Sequence, residues 1–431
     1  MGRIVYFSLP TRGHVNPTLG VIRELVRRGH EIVYYCTEQF RQDIEGTSAL
    51  FRVYSPGFQW PEEGPGPFAQ VSTTLETLLA LSCSTLDHHL EEVRALQPTH
   101  VMYDSFAPWG GFFAQLLRLP SIASVPSILV NGDIDARYGA RPGGEVEDPR
   151  LTPEWYAAFR ARSQASLGHY GITETSPPKL LQSYGDLNVV YTSRLFQPSA
   201  EAFDGDRIQF VGPCIEFRPQ AAPFQFERLD GRPLVLVSLG TVYGNPRFFR
   251  ECMEQLADAP WQVVLSTGVH YDLGPLPSNF IVRYFVPQIE LLRRAAAFVT
   301  HAGMNSVQEA LYHGVPMVMA PQAADQFWIS GRVAELGAGL VLESGAIRSS
   351  VAKVLVCADY RAASERIGGS LRAAGGHMRA ADEIERFMNT QAGKIAEGEA
   401  DQPGNSVECN SEASVSLWPS GKWARTRRVC G

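Results

Sequence analysis

The stretch RIVYFSLPTRGHVNPTLGVIRELVRRGHEIVYY, residues 3–35, decides the fold class of this chain. It begins and ends with short apolar runs, residues 3–8 and 31–35, which are typical of buried strands. The residues between them place four apolar side chains on one helical stripe: Leu19, Ile22, Leu25 and Val26. We predict a helix over residues 17–28, because proline is favoured in a first turn and a glycine follows residue 28.

Strands and helices continue to alternate along the chain. In the first half we predict further strands at residues 100–103, 121–124 and 208–211, and helices within 73–96 and at 107–117. In the second half we predict strands at residues 234–239, 262–266, 296–300 and 316–319. This order indicates an α/β fold with two doubly wound domains, each a parallel sheet covered on both faces by helices. Ligands of such sheets bind at the carboxyl ends of the strands.

Changes in composition predict the domain boundaries. The predicted parts are an N-terminal domain (1–212), a proline-rich linker (213–232), a C-terminal domain (233–375), a helix (376–390) and a tail (391–431). The helix is expected because residues 378–388 are periodic. The tail is aperiodic and its charges balance, so we predict that it is disordered.

The composition limits the class of protein and of partner. Of the 431 residues, 45% are hydrophobic and 19% charged, which excludes an intrinsically disordered chain. The net charge of −7 argues against nucleic acid as a partner, because phosphate neutralisation normally needs a basic protein. A monomer or a homodimer fits these numbers equally well.

The cysteines and the hydropathy pattern predict a cytoplasmic protein. Seven cysteines are scattered without metal-ligand or disulfide-rich spacing, which indicates a reducing compartment. The N-terminal apolar run is too short for a secretory signal. No stretch approaches the roughly 18 uncharged apolar residues of a spanning helix, so no integral membrane association is expected.

Several common catalytic motifs are absent from the sequence. No glycine-rich dinucleotide fingerprint follows the first strand, and no Walker loop is present, which weakens the case for an oxidoreductase or an ATPase. Two D-x-D pairs, Asp133/Asp135 and Asp204/Asp206, are candidates for metal binding, but such short motifs arise often by chance. We predict that no metal site is present.

His14 and Asp104 are the candidate catalytic pair. His14 lies between the first strand and the predicted helix, where the positive helix terminus favours a neutral imidazole, the form that a general base requires. Asp104 follows another strand, at the same edge of the sheet if the two strands are neighbours, where it could orient the imidazole. The alternatives are a packing role for His14 and capping of the next helix by Asp104.

The second domain carries a denser signal. The segments FVPQ (285–288), THAGMNSVQEAL (300–311) and PQAADQ (321–326) follow one another within it. His301 lies in a strand-to-helix loop, where backbone N–H groups near Gly303, Asn305 and Ser306 can hold a phosphate. Glu309 could accept from ribose hydroxyls, while Asp325 and Gln326 suit sugar hydroxyls. The glycine loop SLGT (238–241) is predicted to face the same cleft.

At these motifs the sequence resembles the macrolide-type UDP-glycosyltransferases of the UDP-glucosyl/glucuronosyltransferase family. The resemblance covers about residues 3–389 and includes GHVNPTLG, YDSFAPWG, FVGP, VSLGT and AAGGHMRAADEIERFM. It implies the GT-B fold, with two Rossmann-like domains facing each other across a cleft and the C-terminal helix crossing back between them. It also implies inverting sugar transfer without a metal ion or cofactor, with a UDP-sugar as co-substrate.

The resemblance assigns roles to residues of this chain. His14 matches the base of the family and Asp104 its partner carboxylate. The predicted donor-binding residues are Thr241, Phe285, Val286, Gln288, His301, Gly303, Asn305, Ser306, Glu309, Asp325 and Gln326. Many members of the family have Trp at the position of Phe285, where the ring stacks on uracil.

The acceptor site is predicted in the N-terminal domain, which is rich in aromatic residues. The candidates for lining it are Trp60, Phe68, Phe106 and Trp109. The expected reaction is transfer of a hexose, glucose in first place, from UDP to a hydroxyl of a hydrophobic small molecule such as a macrolide, flavonoid or other phenol or polyketide, and it could serve antibiotic inactivation. The alternatives are a dTDP- or UDP-deoxysugar transferase, a nicotinamide-dependent oxidoreductase and a non-catalytic auxiliary subunit.

Overall fold

Two parallel sheets form the framework of the computed structural model. The structure describes residues 1–60, 70–131, 148, 150–173, 175–203, 205–215, 223–240, 244–322 and 325–396. The strands of the first sheet are β1 (Arg3–Phe7), β2 (Glu31–Cys36), β3 (Leu50–Val53), β4 (His100–Asp104), β5 (Ser121–Val125), β6 (Leu187–Val190) and β7 (Ile208–Phe210). Those of the second are β8 (Leu234–Ser238), β9 (Gln262–Ser266), β10 (Phe280–Arg283), β11 (Ala295–Thr300), β12 (Met317–Met319) and β13 (Gly339–Val341). The α/β prediction is confirmed.

Helices cover both sheets. In the first domain they are α1 (Arg12–Arg27), α2 (Arg41–Glu45), α3 (Val71–Ala95), α4 (Pro108–Leu117), α5 (Pro153–Gly168) and α6 (Pro177–Leu181). In the second half of the chain they are α7 (Pro246–Leu256), α8 (Gln288–Leu292), α9 (Met304–Tyr312), α10 (Gln326–Glu335), α11 (Ile347–Val356), α12 (Ala358–Ala373) and α13 (Gly376–Ala396). Within the described residues, none of these helices is long and apolar enough to span a lipid bilayer.

Each sheet reverses its winding direction at one pair of neighbouring strands. The first sheet has the order β3-β2-β1-β4-β5-β6-β7 and the second β10-β9-β8-β11-β12-β13. In the first sheet the strands β1 to β3 extend to one side, and the chain then crosses to the other side of β1 to form β4. In the second sheet β8 to β10 extend to one side, and β11 lies on the other side of β8. All recorded strand pairs are parallel, so the carboxyl ends of each sheet lie along one edge. The crevice between β1 and β4, and that between β8 and β11, are the places where such sheets bind ligands.

The alternation of side chains along the strands separates two cores on each sheet. In β1, Val5 and Phe7 belong to the core beneath α3 and α4, whereas Ile4 and Tyr6 belong to the core beneath α1. Strand residues buried on both faces are typical of parallel sheets covered by helices. Because both faces are packed, only the strand ends are left to form a ligand site.

The C-terminal helix α13 packs against the first sheet, on the same face as α1. Its inner side buries Ala380, Ala381 and Ile384 in the core of that face. At its edge Arg28 forms ion pairs with Asp382 and Glu385, at 2.8 and 2.7 Å. The helix follows the second domain in sequence and returns to the first, as the resemblance implies for a crossover helix.

Two helix boundaries differ from the sequence-based predictions by five residues or more. Helix α13 continues to Ala396, six residues beyond the predicted end, so residues 391–396 are helical rather than part of a disordered tail. The rest of the predicted tail lies outside the described residues. Helix α1 begins at Arg12, not at residue 17. The first turn forms because the N–H groups of His14 and Val15 both donate to the Thr11 carbonyl oxygen.

Candidate active site

His14 and Asp104 meet at the switch point of the first sheet. Asp104 is the last residue of β4, which pairs with β1, and His14 lies in the first turn of the helix that follows β1. The Nδ1 atom of His14 is 2.8 Å from Oδ2 of Asp104. Because a carboxylate only accepts, Nδ1 carries the proton and donates, which leaves Nε2 as the basic nitrogen. The sequence predicted this proximity from the strand positions.

Asp104 is fully buried and uses both carboxylate oxygens. Its Oδ1 atom accepts from the backbone N–H of Phe106 at 2.8 Å, while Oδ2 faces His14. The alternative prediction, that Asp104 caps the following helix, is wrong. The N-cap residue of α4 is Ala107, and no side chain caps the helix there. The Asp104 side chain accepts from Phe106, one residue before the N-cap. The carboxylate is instead fixed in one orientation towards the imidazole.

The environment of His14 favours its protonated form. Burial alone lowers the pKa of His14, but the charge and hydrogen bond of Asp104 outweigh it, with a further contribution from Asp325, so the net pKa is raised. The sequence analysis expected the helix terminus to favour the neutral form, whereas the net pKa of His14 lies above its ordinary value. Two carboxylates decide the outcome, and one of them, Asp325, comes from the second domain.

The loop at residues 301–303, which we predict to bind the donor and call the donor loop, lies at the switch point of the second sheet. His301 follows β11 directly, and Gly303 is the N-cap residue of α9. The imidazole of His301 lies against two glycines, Gly240 after β8 and Gly303. A Cβ atom added to Gly240 would be 2.7 Å from Cε1 of His301, and one added to Gly303 would clash with Nε2. A side chain at either position would therefore force the imidazole of His301 to move.

His301 is neutral and has an orphaned nitrogen. Its Nδ1 atom is buried and has no hydrogen-bond partner among the described residues. Burial lowers the pKa of His301 to about 4, against a smaller opposing effect of the Ser238 backbone. A buried polar atom without a partner at the N-terminus of a helix is suited to an anionic ligand that supplies the missing contact.

Gln288, Ser306 and Glu309 form a hydrogen-bonded group next to this loop. The Nε2 atom of Gln288 donates to Oγ of Ser306 at 3.2 Å and to Oε2 of Glu309 at 2.7 Å. Glu309 is buried in the α9 helix, so the amide holds its carboxylate in place. Phe285, in contrast, is 55% exposed, and its ring is open to a stacking partner. The neighbouring Val286 packs against a hydrophobic cluster to which both domains contribute.

Asp325 joins the two domains. Oγ of Ser127, two residues beyond β5, donates to Oδ2 of Asp325 at 2.8 Å. Burial raises the pKa of Asp325, while the Ser127 hydrogen bond and the charge of His14 oppose the rise. Ser127 was missed from the sequence, although its position at the same sheet edge as Asp104 was a signal that could have found it. The adjacent Gln326 is buried, and its Oε1 atom accepts from the Gln322 backbone.

Asn305 also reaches across the cleft rather than only lining the donor loop. Its Nδ2 atom donates to the backbone carbonyl oxygen of Gly13 at 3.1 Å. The sequence predicted that the backbone near Asn305 would hold a phosphate, and it gave no sign of this contact. Thr241 and Phe68 lie outside the described residues.

The predicted acceptor residues separate into two groups. Phe106 is beside the base, since its ring meets the His14 ring edge-on with the centroids 5.4 Å apart. Trp109 has no exposed surface, and its Nε1 atom donates to the hydroxyl of Tyr54 at 3.1 Å. Trp60 is also buried in that core. For Trp109 the prediction is corrected, because a side chain enclosed by its own core presents no surface to a ligand.

Metal ligands are not clustered in the described part of the chain. No group of three or more His, Cys, Asp or Glu side chains there could hold a metal ion. Of the two D-x-D pairs, Asp133/Asp135 lies outside the described residues, as does Asp204 of the other pair.

Comparisons with known proteins agree with this architecture. Residues 250–375 match the family model "Erythromycin biosynthesis protein CIII-like, C-terminal domain". The chain is 34% identical over 397 residues to the uncharacterized UDP-glucosyltransferase YojK of Bacillus subtilis, covering 89% of this chain and 97% of that protein. It is 34% identical over 414 residues to the demethyllactenocin mycarosyltransferase of Streptomyces fradiae, covering 91% and 88%.

A solved structure extends the likeness to three dimensions. The calicheamicin glycosyltransferase CalG4 superposes with a TM-score of 0.74 at 30% identity, over 90% of this chain and 98% of that one. These relatives are named as glycosyltransferases, and they give no support to the oxidoreductase alternative. This chain is a glycosyltransferase with the GT-B fold, and it belongs to the family of macrolide-type, natural-product UDP-glycosyltransferases.

Proposed function

We propose that this enzyme transfers glucose from UDP-glucose to a hydroxyl group of a hydrophobic small molecule, with inversion and without a metal ion. The observation that carries the proposal is the 2.8 Å hydrogen bond between His14 and Asp104, at the switch point that faces the donor loop. It provides a positioned base beside a crevice of the type that binds nucleotides.

His14 acts as the general base in this proposal. Its Nε2 atom takes the proton of the acceptor hydroxyl while the acceptor oxygen attacks the anomeric carbon of the donor sugar. The bond from that carbon to the diphosphate oxygen breaks, and UDP leaves with the bonding electrons. One displacement by an external nucleophile inverts the anomeric centre. Asp104 stabilises the imidazolium that forms, as the carboxylate of a catalytic triad does.

The leaving diphosphate is held by the start of α9. The N–H groups of the first helical turn and the positive end of the helix dipole favour an anion there. The orphaned Nδ1 atom of His301 supports this assignment, because in the tautomer with its proton on Nδ1 the neutral ring would donate to a phosphate oxygen. A fixed array of donors can stabilise the developing charge without a metal ion.

The donor sugar is assigned to Asp325 and Gln326, and the ribose to Glu309. Support comes from the position of Asp325, whose charge acts on His14 from the opposite domain. The exposed ring of Phe285 is available for stacking on a pyrimidine. A dTDP- or UDP-deoxysugar donor is the second candidate, since the curated relative from Streptomyces fradiae is named as a mycarosyltransferase.

The acceptor is expected to be hydrophobic because Phe106 borders the base. Macrolides, flavonoids and other phenols or polyketides are the classes to test, and antibiotic inactivation is the role that we propose for transfer to an antibiotic. We also propose a cytoplasmic location, supported by the scattered cysteines of the sequence.

One experiment tests these points together. The purified chain is incubated with UDP-glucose or dTDP-deoxyhexoses and a panel of acceptors, with excess EDTA or with Mg²⁺. We expect UDP release with product formation from UDP-glucose at equal rates in both buffers, and a β-linked glucoside by NMR. Loss of activity in EDTA that Mg²⁺ restores would contradict the metal-independent mechanism. Faster transfer from a deoxyhexose donor would favour the second candidate.

A further inference from the structure

Pro17 changes the hydrogen bonding of the helix that carries the base. It is the sixth residue of α1 and has no N–H, so the carbonyl oxygen of Gly13, four residues earlier, lacks its usual intrahelical donor. The proline ring also crowds that carbonyl. Gly13 immediately precedes His14, and the peptide group in question therefore joins the two residues.

The side chain of Asn305 supplies a donor to this carbonyl. Its Nδ2 atom lies 3.1 Å from the Gly13 oxygen, although the two residues are 292 positions apart. Asn305 is the second residue of α9, the helix whose first turn is assigned to the diphosphate. The bond thus connects the N-terminal turn of the base helix with that of the donor helix.

Gly13 itself has no side chain to pack and lies at the surface. Gly13 is exposed, and a Cβ atom added to it would meet no atom within 4 Å. The N–H of the Gly13–His14 peptide donates to the Thr11 carbonyl oxygen within the helix, and the bond from Asn305 restrains the carbonyl side of the same peptide from the second domain. A displacement of about 1 Å at a reacting group can reduce a rate by about a hundredfold.

We propose that Asn305 is a positioning residue, which uses the carbonyl oxygen exposed by Pro17 to hold the His14 turn against the donor-binding helix. The role rests on the proposed function of His14 as the base. Asn305 would act on the base through the backbone, in addition to any contact with the donor. This bond is then one of the contacts across the cleft that set the spacing between base and leaving group.

A second contact across the cleft supports this role. The bond from Ser127 to Asp325, at 2.8 Å, also joins the two domains and involves a carboxylate whose charge acts on His14. Both bonds end at residues of the donor site. The first fixes the helix that carries the base, and the second fixes a carboxylate close to it.

The first test is substitution of Asn305. Asn305→Leu has a similar shape but no donor, and Asn305→Gln keeps the amide on a longer side chain. We expect Leu to lower kcat at saturating donor and acceptor by about three- to tenfold, the range of one ordinary hydrogen bond. The dissociation constant of UDP, measured by calorimetry, should change by less than about twofold, and Gln should recover part of the loss. Thermal melts verify folding.

The second test uses Pro17. Pro17→Ala restores an N–H that can donate to the Gly13 carbonyl oxygen within the helix, so this oxygen no longer depends on Asn305 for a donor. We expect kcat to fall, and the Asn305→Leu effect to be smaller in the Pro17→Ala background than in the native chain, because the two sites are coupled. Pro153→Ala is the matched control, since Pro153 is the first residue of α5, where no intrahelical acceptor precedes it, and kcat should not change.

The outcomes separate this proposal from the proposed function. If the losses of kcat caused by Pro17→Ala and by Asn305→Leu simply multiply in the double variant, the two residues act independently and the positioning role is overturned. So would a loss of UDP affinity as large as the loss of kcat, because the amide would then serve the diphosphate directly. If His14→Ala is inactive while the two effects are multiplicative, the base assignment stands and only the role of Asn305 fails. Normal turnover of His14→Ala would overturn both.

Discussion

The hydroxyl of Ser127 donates to Oδ2 of Asp325 at 2.8 Å, and the two residues belong to opposite domains. One oxygen of the carboxylate assigned to the sugar is therefore bound by the N-terminal domain. A sugar hydroxyl meets the other oxygen or has to displace Ser127. Because the charge of Asp325 also acts on His14, the donor site and the base share one electrostatic environment.

Removal of the imidazole is the first prediction. His14→Ala should lower kcat by about 10²–10⁴-fold, the usual contribution of a positioned general base. The dissociation constant of UDP should stay nearly the same, because the atoms assigned to the nucleotide lie in the second domain. Product formation by chromatography and UDP binding by calorimetry measure the two effects. Near-normal turnover on an ordinary alcohol would show that His14 is not the base.

The pH dependence of transfer follows from the raised pKa of His14. Only the neutral imidazole can accept a proton, so kcat/KM should fall as the pH decreases through that pKa, which lies above the ordinary 6.5. In Asp104→Asn the raising charge is gone and burial, which lowers the pKa of His14, remains. The acidic limb of the kcat/KM profile of this variant should therefore move to lower pH, and its maximum rate should be much reduced. An unchanged limb in this variant would contradict the pairing.

The sequence predicted correctly those contacts of the site that a single sheet places together. His14 and Asp104 were brought together correctly because strands that precede a switch point end side by side. The start of α1 was misplaced because proline usually marks a first turn, whereas here the carbonyl that Pro17 leaves without a donor is satisfied by Asn305. That contact and the Ser127 bond depend on the placement of two domains, which no local pattern encodes.

The aromatic residues show the same limit. Phe106 and Trp109 are three positions apart in one motif. The first lies beside His14, whereas the second, a residue of α4, is enclosed in the core between that helix, α3 and the first sheet. Composition identifies both as large apolar side chains. Only the direction of each side chain from the start of α4 decides which of them can meet a ligand.

A side chain at Gly240 should disturb the donor loop. In Gly240→Ala the new Cβ would lie 2.7 Å from Cε1 of His301, at a residue with a φ of 80°, which side chains rarely adopt. His301 would have to move, and we expect UDP affinity to fall by about tenfold, the effect of losing one charge-assisted hydrogen bond. Gly369→Ala is the control, since its Cβ would meet nothing within 4 Å. Unchanged UDP binding in Gly240→Ala would separate His301 from the nucleotide site.

The crossover helix α13 should contribute strongly to stability. Ile384 is fully buried between α13 and the first sheet, so Ile384→Ala should lower the free energy of unfolding by about 2–5 kcal/mol. Met378, which is 44% exposed at the start of the same helix, is the control, and Met378→Ala should have a much smaller effect. Denaturant unfolding of both variants measures the difference. Equal effects would mean that α13 is not packed as described.

Donor choice is the last prediction, and it depends on Asp325. A carboxylate accepts from sugar hydroxyls, and a site built for a hydroxyl rejects the analogue that lacks it, because its buried polar atoms are left unpaired. UDP-glucose should therefore be a better donor than a UDP-deoxyhexose, and UDP-galactose, which differs at one hydroxyl, a weak one. Asp325→Ala should lower kcat/KM for UDP-glucose by about ten- to hundredfold, the range for hydrogen bonds to a charged group.

Two further measurements decide whether this loss belongs to the sugar. The affinity for UDP alone should hardly change in Asp325→Ala, since the nucleotide is assigned to Phe285, His301 and Glu309. The preference for UDP-glucose over the deoxyhexose should shrink, because the variant no longer has the carboxylate that tells the two donors apart. Asp325→Asn keeps the shape and can still accept from Ser127, so it should fold normally and isolate the effect of the charge. Equal rates of the native enzyme with both donors, or an unimpaired Asp325→Ala, would remove Asp325 from the sugar site.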